Sequence, residues 1–424
     1  MGHDLRRLAL RVAASLVLAG GALAQPAEPV FSLAKKERQP FLDTLKELVS
    51  IETGTRDLEG LERAALLIAG RLQALGGKVE LIDPTADAYR MADTPAKIGK
   101  IVRARFEGKG TKKILLLAHM DTVYLRGMLA RQPFRIDGDR AYGLGIVDDK
   151  QGIALILHAL AMLKAIDFRG YGLVTVLINA DEEMSSPGSR KLITEEGARH
   201  DVVFSCESSR ADSDKLALAT AGIASVILKA KGRASHAGSA PEMGRNALYE
   251  LAHQILQTRD LSDPSTGLKM NWTLASAGTN RNVIPADAVA TADVRVLRVA
   301  DYDGIERALR ERIKNKLIPD VQVEMTFERR RPPLEATAAS RALGDRAGRI
   351  YAEIGKKLTV DTVAEGGGTD AAFASLESKA PTLERFGLQG FGSHSNNAEY
   401  VLLDSIEPRL YLLARMIMDV SLGK

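Results

Sequence analysis

The chain has one cysteine, Cys206, in 424 residues. A single thiol excludes an internal disulfide framework and any cysteine-rich zinc finger. An excess of one charge is missing as well. Lys and Arg total 58 against 54 Asp and Glu, a net +4. Nucleic-acid binders carry a larger, clustered basic surplus, so that class is set aside. The body of the chain has no apolar run as long as a membrane span, no internal repeat and no low-complexity tract. What is present reads as globular. Hydrophobic residues make up 45% and charged residues 26%. The length is generous for one domain and comfortable for two.

The N-terminus has the pattern of an export signal. Arg6, Arg7 and Arg11 precede an apolar stretch from Val12 to Leu23, which ends in Ala22-Leu23-Ala24. A basic start, a short apolar core and a small-x-small site predict secretion with cleavage after Ala24. The apolar run falls short of the ~20 residues that span a bilayer. Loss of residues 1–24 removes three Arg and Asp4, which lowers the charge from +4 to +2. A periplasmic or secreted protein with one cysteine depends on a large core or on metal for its stability.

Beyond that segment the periodicity changes twice. Residues 39–77 read as helical, with Phe41, Leu45, Leu48 and Val49 at helical spacing. The runs Ile114–Ala118, Leu173–Ile178 and Val202–Phe204 are continuously apolar, as strands covered on both faces are. A helical stretch near residues 150–164 separates the first two, which predicts a mostly parallel α/β sheet. From Gly222 to Pro332 the order reads β-α-β-β-α-β, the ferredoxin-like arrangement. The expected organisation is a signal at 1–24, a catalytic domain from 25–221 and 333–424, and an inserted α+β domain at 222–332.

Three of the buried runs end in metal-ligand types: His119-Met120-Asp121, Asp181-Glu182-Glu183 and Cys206-Glu207. Sites in open parallel sheets form beyond the carboxyl ends of the strands, so these groups are expected at one edge. The loop Tyr142–Lys150 adds Asp148 and Asp149, and Gly390–Ser395 adds His394. His119 and Asp121 are two apart on extended chain and share a face, which suits a carboxylate bracing a metal-bound imidazole. With no cysteine cluster, any zinc here would have histidine and carboxylate ligands. No Gly-x-Ser-x-Gly elbow supports a serine hydrolase.

These motifs, with Gly232–Gly238 and Gly366–Asp370, resemble the di-zinc M20 metallopeptidases, and most closely the bacterial glutamate carboxypeptidases of the carboxypeptidase G group. The resemblance covers essentially the whole mature chain. It implies two zinc ions per subunit bridged by Asp148, one held with His119 and Glu207, the other with Glu183 and His394. It implies Glu182 as general base and Asp121 as the brace on His119. His236 would reach the active site of a partner subunit, with homodimerisation through the inserted domain, and Asn282 would add a polar substrate contact. Arg331 would lie near the site. Arg295 is the natural fork for a substrate carboxylate. The run Gly366–Gly368, with Gly367, Gly368 and Thr369, is a plausible carboxylate cradle. The pattern departs at Leu144, where relatives would be expected to carry proline, and at Asn396 and Asn397, where an acid is expected.

The expected reaction is hydrolysis of the amide bond to a C-terminal glutamate, on folate-type or N-acyl-glutamate substrates. An aminoacylase, deacetylase or dipeptidase on the same scaffold is the alternative. A non-catalytic exported binding protein would have lost a ligand or Glu182, and all are present.

Overall fold

A computed structural model describes residues 25–364, 366–395 and 398–423. The expected signal with its cleavage site, and the departures at Asn396 and Asn397, lie outside the described residues. Among those residues no helix is long and apolar enough to cross a membrane.

The continuously apolar runs become the middle of a six-stranded sheet. Its order is Lys78–Ile82, Ile101–Glu107, Leu173–Asn179, Lys113–His119, Val202–Ser205, Thr382–Leu383. The last four strands run parallel, and the first two pair antiparallel. The antiparallel edge was not expected from the sequence, and chain connectivity accounts for it. Parallel neighbours need a crossover, which the helix Gln151–Ala165 supplies between Lys113–His119 and Leu173–Asn179. Only a short turn links Ile101–Glu107 to Lys113–His119, so these two strands run in opposite directions on either side of Leu173–Asn179. The crossover helix is apolar nearly all round and buried on almost every position. It packs beneath the helices Arg38–Val49 and Ile406–Ser421, the arrangement a fully covered helix requires.

Residues Gly222–Arg331 form a four-stranded antiparallel sheet, ordered Lys269–Ala277, Asp287–Val296, Gly222–Lys231, Gln322–Arg331. Helices Ala247–Thr258 and Asp301–Arg312 complete the β-α-β-β-α-β order. Along Asp287–Val296 every second residue is buried, with Ala290, Ala292 and Val294 facing the helices. The register pairs Ile223 with both Arg295 and Arg331, so the two arginines lie in one row across three strands.

A third sheet decides how the loops meet. It runs Arg135–Asp137, Arg140–Tyr142, Tyr400–Leu402, Gln389–Phe391, Ser209–Arg210. Tyr142 pairs with Tyr400, and Tyr400 with Phe391. The loop that leaves Tyr142 toward Asp148 therefore starts beside Tyr400–Leu402, the strand into which the loop that carries His394 runs.

Candidate metal centre

Five side chains converge where these loops meet the carboxyl edge of the large sheet. His119, Asp148 and Glu207 offer three atoms within 4.8 Å of one another, and Asp148, Glu183 and His394 offer a second such set. Asp148 belongs to both. Its Oδ1 lies 2.9 Å from His119 Nε2, and its Oδ2 lies 3.3 Å from His394 Nε2. Glu207 Oε1 approaches His119 Nε2 at 3.2 Å, and Glu183 Oε2 approaches His394 Nε2 at 3.1 Å.

The buried Asp121 organises this edge. One of its oxygens is 3.3 Å from His119 Nδ1, and the same ring nitrogen faces the Asp121 carbonyl at 3.1 Å. The carboxylate also accepts the backbone N–H groups of Glu182 (3.0 Å) and Glu183 (3.2 Å) and the hydroxyl of Thr55 (2.8 Å). One carboxylate thus orients a histidine and the turn that carries two glutamates. Acceptors at Nδ1 keep the His119 proton there. Its Nε2 then faces two carboxylate oxygens, a contact that calls for a proton or a metal cation between them.

The electrostatics agree. Burial pushes the Glu183 carboxyl up to about 7, despite its contact with His394. Hydrogen bonds to Asp148 and Glu183 push His394 up to about 11. Burial opposes a charged His119, yet Glu207, Asp121 and Asp148 together hold it well above the usual range. These groups retain protons where a positive charge is wanted. Glu183 Oε1 is buried with no hydrogen-bond partner among the described residues. Histidine plus carboxylate, an unpartnered buried oxygen and a shared central aspartate fit a pair of divalent cations.

The Asp148 loop is fixed by a residue that the sequence reading did not single out. The buried Glu399 accepts the N–H groups of Gly145 (3.0 Å), Val147 (2.8 Å) and Asp148 (3.2 Å). Tyr124 donates its hydroxyl to the same carboxylate at 2.5 Å. Gly145 has φ +71°, and a Cβ there would fall 2.4 Å from Thr122 Cγ2, so the tight turn requires glycine. Leu144 beside it is buried. Asp149, also buried, accepts from the Gln151 side-chain amide at 2.7 Å, which ties the loop to the crossover helix. Asp181 turns inward to the hydroxyl of Ser189 (2.6 Å) and the N–H of Gly188 (2.6 Å), away from the cluster. Cys206 is fully buried, and burial holds its thiol well above the usual range.

Glu182 lies outside both triads and lines a cleft of about 440 Å³ with Asp148, Glu183, Glu207 and His394. Burial raises its carboxyl well above the usual range. The same cleft is lined by Arg295, Arg331, Gly366–Gly368 and Thr369. Two of these differ from a simple carboxylate fork. Arg331 is buried and holds Glu182 Oε1 and Asp370 Oδ1, each at 2.8 Å, with the Glu182 carbonyl at 2.7 Å. Its first partners are the chain's own acids, Glu182 among them. Arg295 makes a two-pronged bond to Asp293, at 2.8 and 2.9 Å, and reaches the Gly366 carbonyl at 2.9 Å. His236 and Asn282 are exposed neighbours in loops at the end of the four-stranded sheet, where Ala237 N–H donates to the Asn282 carbonyl at 2.9 Å. Neither lines the cleft of its own chain.

Residues 115–419 match the model of peptidase family M20/M25/M40. The chain belongs to that family. Carboxypeptidase G2 of Pseudomonas sp. (strain RS-16) is 45% identical over 414 residues, which is 97% of each chain. Among solved structures, aminopeptidase PepT of Bacillus cereus superposes with a TM-score of 0.73 at 19% identity, covering 91% of this chain and 99% of that one. The M20 family metallo-carboxypeptidase Sso-CP2 of Sulfolobus solfataricus gives 0.71 at 15% identity, covering 90% and 99%. Both confirm the shared mixed α/β fold. M20 membership makes the chain a peptidase-family hydrolase, with the two triads as its candidate metal-binding residues.

Proposed function

We propose that this chain is a zinc-dependent carboxypeptidase that cleaves the amide bond to a C-terminal glutamate in folate-type or N-acyl-glutamate substrates. The observation that carries the reading is one carboxylate, Asp148, shared by two histidine–carboxylate triads, with Glu182 beside them and outside both. The similarity to Carboxypeptidase G2 over nearly the full length supports the choice of substrate end.

His119, Asp148 and Glu207 would hold one zinc ion, and Asp148, Glu183 and His394 the other. When bound, such a pair polarises an amide carbonyl and makes a water molecule more acidic. Glu182 then works as general base. Arg331 occupies its Oε1, which leaves the other oxygen to take the water's proton and pass it to the departing amine nitrogen. Asp121 keeps His119 and the Glu182-Glu183 turn in position. Arg295, Gly367, Gly368 and Thr369 would face the substrate's carboxylates, with Arg331 as a second contact.

We further propose a homodimer through an inserted domain at 222–332, between catalytic segments 25–221 and 333–424. The strand Lys269–Ala277 is an open sheet edge, and Leu274 on it is exposed, as are Leu248, Tyr249 and Leu256 on the neighbouring helix. His236 would act at the partner's site. Its Nδ1 accepts the N–H groups of Gly238 and Ser239, both at 3.1 Å. That leaves the ring proton on Nε2, able to donate to the oxyanion that forms when water attacks the amide.

Selectivity gives a direct test. The kcat/KM for N-acyl-glutamate should exceed that for the matched N-acyl-glutamine by about tenfold or more, since each charge-assisted hydrogen bond to the side-chain carboxylate contributes roughly 1.5–3 kcal/mol. Equal values would remove the acidic specificity, and faster cleavage of acetyl-amino acids with neutral side chains would favour the aminoacylase alternative. Export is a separate expectation, carried by the basic-apolar-small pattern of residues 1–24. The intact mass of periplasmic or secreted protein should correspond to a chain beginning at Gln25. A mass that includes Met1 would overturn it.

A further inference from the structure

Asp370 is a buried acid that belongs to neither triad. It directly precedes the short helix Ala371–Leu376, where an aspartate commonly caps the first turn, yet its side chain makes no capping bond. Its oxygens turn elsewhere. Oδ1 accepts from Arg331 Nη1 at 2.8 Å and from the Ser186 hydroxyl, and Oδ2 accepts from the Asn179 side-chain amide at 2.7 Å. All three donors are buried. Asp370 does not itself line the catalytic cleft, so any effect it has there passes through a neighbour.

That neighbour is Arg331. The Nη1 that reaches Asp370 also reaches Glu182 Oε1 at 2.8 Å, and Nη2 donates to the Glu182 carbonyl at 2.7 Å. One nitrogen therefore divides its two hydrogens between two carboxylates. An arginine and a carboxylate left to themselves favour a two-pronged bond that occupies both oxygens. Arg295 and Asp293, in the same region, adopt it at 2.8 and 2.9 Å. Arg331 does not adopt it with Glu182, because Asp370 holds one side of the guanidinium and the Glu182 carbonyl holds the other.

The surroundings fix this arrangement. The Arg331 side chain runs against Gly368, where a Cβ would fall 2.5 Å from its Cδ. Ser186 has φ +53°, a costly conformation for a residue with a side chain, and its hydroxyl meets Asp370. Asn179 ends the strand Leu173–Asn179, and its amide donates to Ser189 as well, at 2.8 Å. Asp370 is thus anchored by the large sheet and by the turn that follows Glu182, whereas Arg331 arrives from the four-stranded sheet.

We propose that Asp370 is a positioning residue for the general base: it keeps Arg331 on a single Glu182 oxygen, so that the other stays open to the water's proton. The inference rests on the carboxypeptidase reading. With a neutral group at position 370, the guanidinium would turn to Glu182 as a two-pronged partner and cover both oxygens. The base would still be present but blocked.

The test is a double-mutant cycle in the zinc-loaded enzyme with N-benzoyl-L-glutamate. Asp370→Asn should keep both metal ions and lower kcat by about tenfold or more, the gap between a charge-assisted and a neutral hydrogen bond. KM should move by less than about threefold, since no substrate contact is removed. In the Glu182→Gln enzyme, where no base is left to position, the same substitution should lower kcat by less than about twofold. A scaffold role would cost the same factor in both backgrounds, and that result would overturn the proposal. Unchanged kcat in Asp370→Asn would do so too, as would a raised KM at constant kcat, which would place Asp370 in substrate binding. Arg331→Lys retains the charge but loses the fork. It should show the same dependence on Glu182, and it replaces Asp370→Asn in the cycle if that variant does not fold. If Glu182→Gln itself turns over at the wild-type rate, the base assignment fails and the proposal with it.

Discussion

Glu182→Gln should retain both metal ions and lose ~10²–10⁴-fold in kcat, the contribution of a positioned general base. The reason lies in how the glutamate is held. Its carboxylate belongs to neither triad, so metal content has no cause to fall. Its backbone N–H is fixed by Asp121, and its carbonyl by Arg331. Glutamine keeps those backbone bonds and can still offer an oxygen to the Arg331 guanidinium. What it cannot do is accept the water's proton. KM should change little, because the substrate-facing groups are untouched. Metal analysis together with steady-state kinetics separates the cases. Normal turnover with full metal would show that another group takes the proton. Lost metal would show that Glu182 is a ligand.

The residues of the two triads were legible because each belongs to a distinctive local pattern. His119, the Glu182-Glu183 pair and Glu207 follow apolar runs, and a parallel sheet gathers such ends at one edge. The β-α-β-β-α-β order was legible too, since the periodicity shifts between strand and helix at clear points. The rest depended on long-range pairing. Glu399 follows a glycine loop with no apolar run before it, and its partners lie about 250 residues earlier. The five-stranded sheet that joins its loop to Asp148 is built from strands of two or three residues, too short for any periodic signal. Thr55 reaches Asp121 from a helix-to-helix loop whose sequence alone signals only a turn. Arg331 was expected near the site, where a guanidinium suits carboxylates. The chain's own Glu182 and Asp370 satisfy the same preference, and only the register that places Arg331 opposite Ile223 reveals which carboxylates it meets. The antiparallel edge strands escaped notice for a related reason, since direction follows from connection length and pairing order rather than composition.

Asp148→Ala should lose both metal ions, whereas His394→Ala should keep the one held by His119 and Glu207. Asp148 supplies an oxygen to each triad. Without it each set is reduced to one histidine and one carboxylate, too few to close a tight site. Metal binding is also linked to folding, so wild-type Tm should fall on chelation, and that of Asp148→Ala should not respond. Full metal content in Asp148→Ala would dismiss the bridging assignment. The same variant tests the dimer. His236→Ala should keep both metal ions and lose kcat, because Nε2 no longer reaches the partner's oxyanion. Mixed with Asp148→Ala, it should regain activity. In the hybrid dimer, the intact metal set of the His236→Ala subunit receives His236 from its partner. Random exchange at equal amounts yields hybrids as about half of all dimers, each with one working site, so roughly a quarter of wild-type activity is expected. If subunit exchange is demonstrated by mass and no activity returns, His236 does not act across the interface.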